Sequence, residues 1–289
     1  MLEQKEEHSI EKMAKIKEVS RSGYYDWLKR QVSPREEENE KIYHDLLEIF
    51  LASRCSMGAR RIAPELSKLY GRPINRKRVA RLMREHGLVT KGRKKFVKTT
   101  DSKDSVNLFP NLLKRDFTAE RTNRKFVSDT TYIATEEGWL YLAAIMDLYG
   151  RKIVGVAVRP HNDKELVIEA LEDAKRRIGK EKLKGCILHS DRGSTYASNE
   201  YIEKMNEYGL VGSMSRTGNC WDNAPIESFW GRMKVEWIEG LYKTRQEATQ
   251  DLYEYIWGYY NTRRPHSTNG YKTPVEVYKE SPAKEPPAA

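Results

Sequence analysis

The order of strand-like and helix-like runs in the second half of the chain constrains its fold more than any other feature. Three runs with strand character come first, FVSDTTYI, WLYLAAIMDLY and KIVGVAVRP, and short polar turns join them. This arrangement predicts an antiparallel meander. Helical patterns then alternate with two short strand-like runs, GCILHS and LVGSM, before a long helix begins near residue 224. We therefore expect a mixed sheet with helices on both faces.

Three acidic residues occupy distinctive positions in this pattern. Asp129 is in phase with Val127 and Ile133, so a carboxylate falls on a largely apolar strand face. An unpaired buried carboxylate is costly, and a cation beside it would offset that cost. Asp191 ends a short strand, and Glu227, after 35 intervening residues, lies in the first turn of a helix that Asp222 or Asn223 is expected to cap.

These carboxylates together indicate metal-dependent chemistry on a phosphodiester. Carboxylate oxygens are hard ligands that suit Mg²⁺ or Mn²⁺, and three of them can hold two such ions. Each residue alone also fits a structural role. Asp129 could prevent edge-to-edge pairing of an edge strand, Asp191 could be an ordinary turn residue, and Glu227 could be an ordinary acidic residue in the first turn of a helix. The order and spacing of all three favour a catalytic and metal-binding set.

The charge distribution points to a nucleic-acid partner. The chain carries 52 Lys and Arg against 42 Asp and Glu, a net charge of +10, with a pI near 9.3. The excess is confined to residues 54–98, which hold 15 basic and two acidic residues, whereas residues 99–289 are neutral overall. A basic segment attached to a near-neutral body is typical of a polyanion-binding module.

Residues 35–95 contain three successive helical patterns, which predict a helix-turn-helix DNA-binding domain. The third is the clearest, because Asn75 is a suitable N-cap, Gly87 ends the pattern, and the outer face is basic. The DNA contacts expected here are Arg60, Arg61, Asn75, Arg76, Lys77, Arg78, Arg81, Arg84 and Lys94. The alternative is a solvated basic face that touches nothing.

The predicted organisation is multidomain, α followed by α/β. Residues 1–34 form an N-terminal helical segment, with an amphipathic helix over 3–18, and residues 96–120 form a linker after the helix-turn-helix domain. Residues 121–240 form a mixed-sheet core whose element order is ribonuclease-H-like. Residues 241–289 form a C-terminal helix and tail, in which Thr244 and Glu247 predict a capping box before an aromatic stripe.

The chain resembles insertion-sequence transposases of the IS-three family, relatives of the retroviral integrases. The segments that carry the resemblance are SRSGYYDWLKR, GARRIAPELSKLYGRPINRKRVARLMREHGL, SDTTYI, HSDRGSTY, GNCWDNAPIESFWGRMK and YYNTRRPH. The resemblance implies that Asp129, Asp191 and Glu227 are a catalytic triad, and that Lys234 meets the DNA end. It implies metal-dependent strand cleavage and strand transfer at the ends of an insertion sequence. A hydrolytic nuclease of this fold and a catalytically silent DNA-binding regulator are the alternatives.

Further DNA contacts are expected around the carboxylates. The loop before the catalytic helix carries Arg216 and Trp221, which could hold an unpaired base, although Trp221 could equally pack in the core. The full set expected in this half of the chain is Arg192, Arg216, Trp221, Lys234, Arg263 and Arg264. The histidines His161, His189 and His266 are expected to be structural or DNA-contacting, since metal-activated water needs no histidine base.

The expected partners are double-stranded DNA, as terminal inverted repeats and as target, and further copies of the chain. We expect at least a dimer, associating through the amphipathic N-terminal helix and the 244–260 helix, because joining requires two DNA ends to be held together. Zinc and membranes are not expected, since neither a spaced His and Cys set nor a spanning apolar run is present. Three distant cysteines suggest a reducing compartment, so we expect a cytoplasmic, nucleoid-associated protein.

Overall fold

The computed structural model of the chain describes residues 7–92, 108–216 and 219–282. The chain divides into two compact units, Met1–Glu48 and Ile49–Ala289. The described part of the first unit is helical, whereas the second unit contains a β-sheet together with helices. This agrees with the predicted order of an α region followed by an α/β region.

The first unit consists of α1 (Ile10–Ile16), α2 (Arg21–Lys29) and most of α3 (Pro34–Ala52). The hydroxyl of Ser20 accepts a hydrogen bond of 3.0 Å from the backbone N–H of Gly23 and so caps α2. Helix α1 is shorter than the predicted helix over 3–18, whose residues 3–6 lie outside the described residues. Ile16, expected on its apolar face, is 78% exposed.

The next two helices are α4 (Ala59–Tyr70) and α5 (Arg76–Glu85), which pack against each other. Helix α5 begins as predicted, because Oδ1 of Asn75 accepts a hydrogen bond of 2.8 Å from the backbone N–H of Lys77. It ends before Gly87, whose φ of 65° is a left-handed conformation that glycine adopts readily. The predicted apolar face is buried at Val79, Leu82 and Met83.

Five strands form one mixed sheet: β1 (Lys125–Thr135), β2 (Gly138–Asp147), β3 (Ile153–Arg159), β4 (Ile187–Ser190) and β5 (Val211–Met214). Their order across the sheet is β3-β2-β1-β4-β5. The first three pair antiparallel, as the predicted meander requires, and β4 and β5 add in parallel. The parallel strands are reached through α6 (Lys164–Ile178), α7 (Lys180–Leu183) and α8 (Asn199–Glu207). The predicted ribonuclease-H-like topology is therefore confirmed.

The main core lies between this sheet and helices α6 and α8. It includes Phe126, Ile145, Leu166, Leu171 and Tyr201, all of which are almost fully buried. Gly155 of β3 lets α6 approach the sheet closely, since a Cβ there would lie 2.4 Å from the carbonyl oxygen of Ala170. The sheet that positions the acidic residues is thus rigidly backed.

The C-terminal region consists of α9 (Ala224–Glu236), α10 (Arg245–Tyr253), a π-helical segment (Glu254–Tyr260) and α11 (Pro274–Lys279). The aromatic stripe after Thr244 was expected to be a surface for subunit association. That prediction is wrong, because Tyr255 and Tyr259 are buried and Tyr259 stacks on Trp237 at 5.0 Å. The predicted capping box is incomplete: Thr244 caps α10, but the Glu247 carboxylate accepts from the N–H of Lys243 instead.

The segment predicted as a linker contributes to the core where it is described. Leu113 is buried, and the ring of Phe109 covers Gly212, where a Cβ would lie 2.7 Å from ring atoms. The backbone N–H of Leu112 also donates to the hydroxyl of Ser213 at 2.9 Å. Residues 108–113 are therefore fixed against β5.

Candidate active site

The strand register brings Asp129 and Asp191 together. Strands β1 and β4 are parallel neighbours, and Val127 is paired with His189. Both aspartates lie two residues beyond this pair, Asp129 within β1 and Asp191 just after the end of β4, and the charge of Asp191 acts on Asp129. Neighbouring strands are about 4.8 Å apart, which places two carboxylates side by side at this point of the sheet.

A hydrogen bond from the neighbouring helix α9 holds the side chain of Asp129 in place. The indole Nε1 of Trp230 in α9 donates a hydrogen bond of 3.1 Å to Oδ2 of Asp129. Burial, followed by the charge of Asp191, raises the pKa of Asp129 well above its ordinary value, and Glu227 adds to this effect. Asp129 is thus a carboxylate whose ionisation is disfavoured by its surroundings.

Asp191 lies at the start of a tight turn after β4. Its Oδ1 accepts a hydrogen bond of 2.9 Å from the backbone N–H of Gly193. A Cβ at position 193 would lie 3.1 Å from the same oxygen, so the glycine leaves room for this contact. Burial raises the pKa of Asp191, and the hydrogen bond from Gly193 opposes that shift.

Glu227 lies in the first turn of α9 and is exposed. Partial desolvation, followed by the charge of Asp191, raises its pKa. The expected side-chain cap from Asp222 or Asn223 is not formed. Asn223 instead donates through Nδ2 to the carbonyl of Ser128 at 3.1 Å, so the amide ties the start of α9 to β1.

Two buried hydrogen bonds fix the segments that carry the aspartates. The hydroxyl of Tyr196, just after the Asp191 turn, lies 2.9 Å from that of Ser128. The ring of His189 lies 2.7 Å from the hydroxyl of Ser213 and so joins β4 to β5. Burial lowers the pKa of His189 to about 4. Of the two expected roles, structural or DNA-contacting, the full burial of His189 supports the structural one.

The donor set of the site suits a hard divalent cation. Asp129, Asp191 and Glu227 offer carboxylate oxygens, and the charge of Asp191 raises the pKa of both Asp129 and Glu227, so the three lie close to one another. A cation would favour the ionised form of all three. Across residues 7–92, 108–216 and 219–282, however, no three His, Cys, Asp or Glu side chains are already arranged to hold a metal ion.

Lys234 lies near Asp129, as its position on α9 implies. Its ammonium group lies 4.9 Å from the centre of the Tyr132 ring, a cation–π contact. Burial lowers the pKa of Lys234, and the nearby charge of Asp129 opposes this shift. Tyr132 packs edge-to-face on the exposed ring of Trp139 at 4.9 Å. Asp129 therefore has a cation nearby, and that cation contacts the first of two packed, accessible aromatic rings.

The expected DNA contacts of α4 and α5 differ in exposure. Arg60, Arg76, Lys77 and Arg84 are exposed, whereas Arg78 and Arg81 are partly covered. Arg81 pairs with Glu85 at 2.9 Å. Asn75 uses its side chain as the cap of α5, and Lys94 lies outside the described residues. Arg61 is directed to Glu236 of α9, at 2.9 Å.

The residues of the mixed-sheet core and the C-terminal region that were expected to contact DNA also differ in exposure and in their partners. Trp221 is 68% exposed, so the alternative that it packs in the core is wrong. Arg216 forms a two-point ion pair with Asp222, and Nε of Arg192 donates to the carbonyl of Ser215 at 2.6 Å. Arg263 is exposed. Arg264 has a side chain only 5% exposed and pairs with Glu236.

Several residues that shape the site were not singled out from the sequence. Trp230 is three residues after Glu227, on the same side of α9, so helical spacing could have identified it. Tyr196 and Asn223 lie in the segments HSDRGSTY and GNCWDNAPIESFWGRMK, but their partners are distant in sequence. Glu236 gave no signal, because its role depends on two arginines from other elements.

Comparison with known proteins agrees with this architecture. An HTH-like domain matches residues 36–96, and an integrase core domain matches residues 119–220 and again 208–274. The fold and these matches define a protein with an integrase-type core. The chain is 41% identical over 264 residues to an insertion element IS600 uncharacterized 31 kDa protein of Shigella sonnei, covering 91% of this chain and 96% of that one.

The chain is also 36% identical over 273 residues to transposase InsF for insertion sequence IS3A of Escherichia coli K12, covering 93% and 94% of the two chains. The chain therefore belongs to the IS3 family of insertion-sequence transposases.

Solved structures resemble the chain more distantly. The catalytic core domain of HTLV-2 integrase in complex with magnesium aligns with a TM-score of 0.42 and 15% identity, covering 56% of this chain and 99% of that one. A chain of the simian T-cell lymphotropic virus intasome in complex with a PP2A regulatory subunit aligns with a TM-score of 0.46 and 14% identity. This alignment covers 83% of this chain and 77% of that one.

None of the described helices is long and apolar enough to cross a membrane.

Proposed function

We propose that this transposase cuts and joins DNA at the ends of its insertion sequence, with Asp129, Asp191 and Glu227 as the catalytic carboxylates. The observation that carries the proposal is that Asp129 and Asp191 lie on neighbouring segments of the sheet and that Glu227 lies close enough for its charge to act on Asp129. Burial raises the pKa of both aspartates, and the charge of Asp191 raises the pKa of Asp129 and Glu227. A site that disfavours three negative charges gains most from a divalent cation. These side chains would converge on Mg²⁺ or Mn²⁺, two ions per site.

The chain's own residues would position the DNA end. Trp230 and the backbone of Thr130 both form hydrogen bonds with the Asp129 carboxylate, so its orientation is set before a ligand binds. Lys234 lies on the same helix as Glu227, about 10 Å further along, and would contact a phosphate of the same DNA end. When bound, the ions would activate the attacking oxygen and stabilise the leaving oxygen of an in-line displacement.

DNA recognition would fall to α5, whose exposed Arg76 and Lys77 lie at its capped N-terminus and whose exposed Arg84 lies in its last turn. This is the arrangement expected of a recognition helix in the major groove of the terminal inverted repeats. Other arginines on the surface would contact phosphates and provide affinity without sequence preference.

A labelled duplex carrying a candidate element end tests this proposal. Incubated with the full chain and Mg²⁺, it should yield products in which one DNA end is joined to another, and chelation of the metal should stop the reaction. Nicks without joining would identify a hydrolytic nuclease. Binding without either product would identify a DNA-binding regulator and contradict the proposal.

A further inference from the structure

A small cavity beside the first turn of α9 is lined by four guanidinium groups. They belong to Arg61, Arg151, Arg232 and Arg264, and the cavity measures about 220 Å³. The lining also includes Ser228, the neighbour of Glu227, together with His266, Ser267 and Thr268. No carboxylate appears among the described residues that line it.

The positive charge around this cavity is only partly neutralised. Both Arg61 and Arg264 pair with one carboxylate, that of Glu236, at 2.9 and 2.6 Å. Because Glu236 carries a single negative charge, these two arginines retain one excess positive charge between them. Arg151 and Arg232 lie on the same lining, and the charge of Asp147 acts on Arg151 from outside it. A concave site with this charge attracts anions.

Two nitrogen atoms on the lining residues are buried without a hydrogen-bond partner among the described residues. They are Nη1 of Arg151 and Nδ1 of His266. The other end of the Arg151 guanidinium is fixed, since Nη2 donates to the carbonyl of Phe117 at 3.1 Å. Buried polar atoms without partners are rare in proteins, and they are typical of sites where a ligand supplies the missing bond.

The electrostatics of His266 agree with an anion site. Burial, followed by the charges of Arg264, Arg151 and Arg61, lowers the pKa of His266 to about 4. The ring is therefore neutral near pH 7, and its tautomer is set by its surroundings. An anion in the cavity would offset the repulsion from the arginines and accept a hydrogen bond from Nδ1–H.

We propose that this cavity, hereafter the arginine pocket, binds one backbone phosphate of DNA. Its volume is below the roughly 300 Å³ at which small-molecule pockets begin, so it suits a phosphate group and not a whole nucleotide. Guanidinium groups match phosphate oxygens in paired hydrogen bonds. Inorganic phosphate offers the same chemistry, so the test must separate the two sources.

The position of the arginine pocket favours DNA over free phosphate. Arg61 belongs to α4 of the HTH-like region, whereas Ser228 and Arg232 belong to α9, which carries Glu227. A phosphate here would be held jointly by the DNA-binding region and the catalytic helix. The inference rests on the proposed function to this extent: the DNA bound is the DNA to be cut.

The salt dependence of duplex binding provides the first arm of the test. With full chain, a mixed-sequence duplex and no divalent metal, Arg232→Ala should reduce the slope of log K against log salt by about 1, the effect of one lost phosphate contact. Arg232→Lys should keep the slope but weaken binding, because lysine lacks the paired donors. Arg176→Ala is the matched control, since Arg176 is 74% exposed and lies away from the pocket.

Calorimetric titration with inorganic phosphate, in chloride at constant ionic strength, provides the second arm. Wild type should bind phosphate, and a duplex should compete with it, whereas Arg232→Ala should bind several-fold more weakly. Phosphate binding without competition by DNA would overturn the DNA assignment. Equal slopes for Arg232→Ala and Arg176→Ala would also overturn it. Neither arm measures cleavage or joining, so a chain that binds as expected but joins nothing would refute the proposed function alone.

Discussion

Trp230 illustrates how a single side chain can tune a carboxylate that we propose to be catalytic. Its indole N–H donates to Asp129, and its ring is buried beside Phe229. Trp230→Phe should keep most of the packing but lose the hydrogen bond. Because hydrogen bonds to charged groups contribute about 1.5–3 kcal/mol, we expect joining at saturating DNA to slow by about 10- to 100-fold.

The measurement is the joining rate and the DNA affinity of the same preparation. Affinity should be unchanged, since Trp230 lies beneath the site. Trp257→Phe is the matched control, because Trp257 lies in the π-helical segment and its indole nitrogen has no hydrogen-bond partner among the described residues. A joining rate for Trp230→Phe equal to that of the control would show that the contact has no role in positioning.

His266 should make stability depend on pH. Its pKa is about 4 in the folded chain, because of burial and the charges of Arg264, Arg151 and Arg61, against about 6.5 when unfolded. Protons therefore bind the unfolded chain more readily, and stability present above pH 6.5 is lost as the pH falls towards 4. Between pH 7.5 and 5 this loss should be about 2 kcal/mol.

Denaturant unfolding of wild type and His266→Gln in phosphate-free chloride buffer measures this difference. The variant should lose less stability than wild type over the same pH interval, because glutamine does not titrate. Identical pH dependence in the two proteins would show that the imidazole is not held neutral by its surroundings.

At the residue scale, the sequence singled out three carboxylates as candidates but did not predict the residues that surround them. Asp129 was conspicuous because a charge falls on an apolar strand face, a property of local sequence alone. The burial of Arg264 was not predictable, since an arginine pair before a proline looks like surface until Glu236 is known to lie opposite. Partners brought together by tertiary folding leave no local signal.

At the element scale, Glu236 joins three parts of the structure. It lies at the end of α9 and binds Arg264 from the C-terminal region and Arg61 from α4. Glu236→Gln would leave a buried guanidinium without its counter-charge, which typically costs about 3–5 kcal/mol. We expect the free energy of unfolding to fall by that amount in urea.

Glu239→Gln is the matched control for this change. Glu239 also pairs with a lysine, Lys91, but its side chain is 59% exposed, and exposed pairs contribute about 0–1 kcal/mol. A Glu236→Gln protein as stable as the control would contradict the view that these arginines depend on Glu236.

Helices and strands were largely predictable because their periods are local. The meander, the helices around β4 and β5, and the cap of α5 follow from alternation, helical spacing and Asn75. Where the structure differs from the prediction, contacts between distant parts of the chain are the cause. Asn223 bonds to β1 instead of capping α9, and the helix after Thr244 becomes π-helical at Glu254–Tyr260, where its aromatic stripe packs inside the fold.

At the scale of the whole molecule, joining requires two DNA ends, whereas each chain carries one set of carboxylates. We therefore expect an oligomer on DNA in which recognition and catalysis are shared between chains. Glu227→Gln chains mixed with chains altered at Arg76 and Lys77 should restore joining that neither preparation shows alone. Mass measurement of the DNA complex should show at least two chains.

Failure of the mixture, together with joining by a single chain at high dilution, would contradict this expectation. The aromatic stripe that the sequence suggested for association is buried within each chain, so the surface responsible lies elsewhere. The fold class was predictable from element order. The arginine pocket was not, because its lining comes from four separate segments of the chain.

The central claim is that Asp129, Asp191 and Glu227 form one catalytic site. Its most direct test is end joining in Mg²⁺ by Asp129→Asn, Asp191→Asn and Glu227→Gln, with DNA affinity measured on the same preparations. Each variant should lose cleavage and joining while it keeps its affinity, because affinity comes mostly from basic residues elsewhere. Near wild-type joining by any one of them would remove that residue from the site.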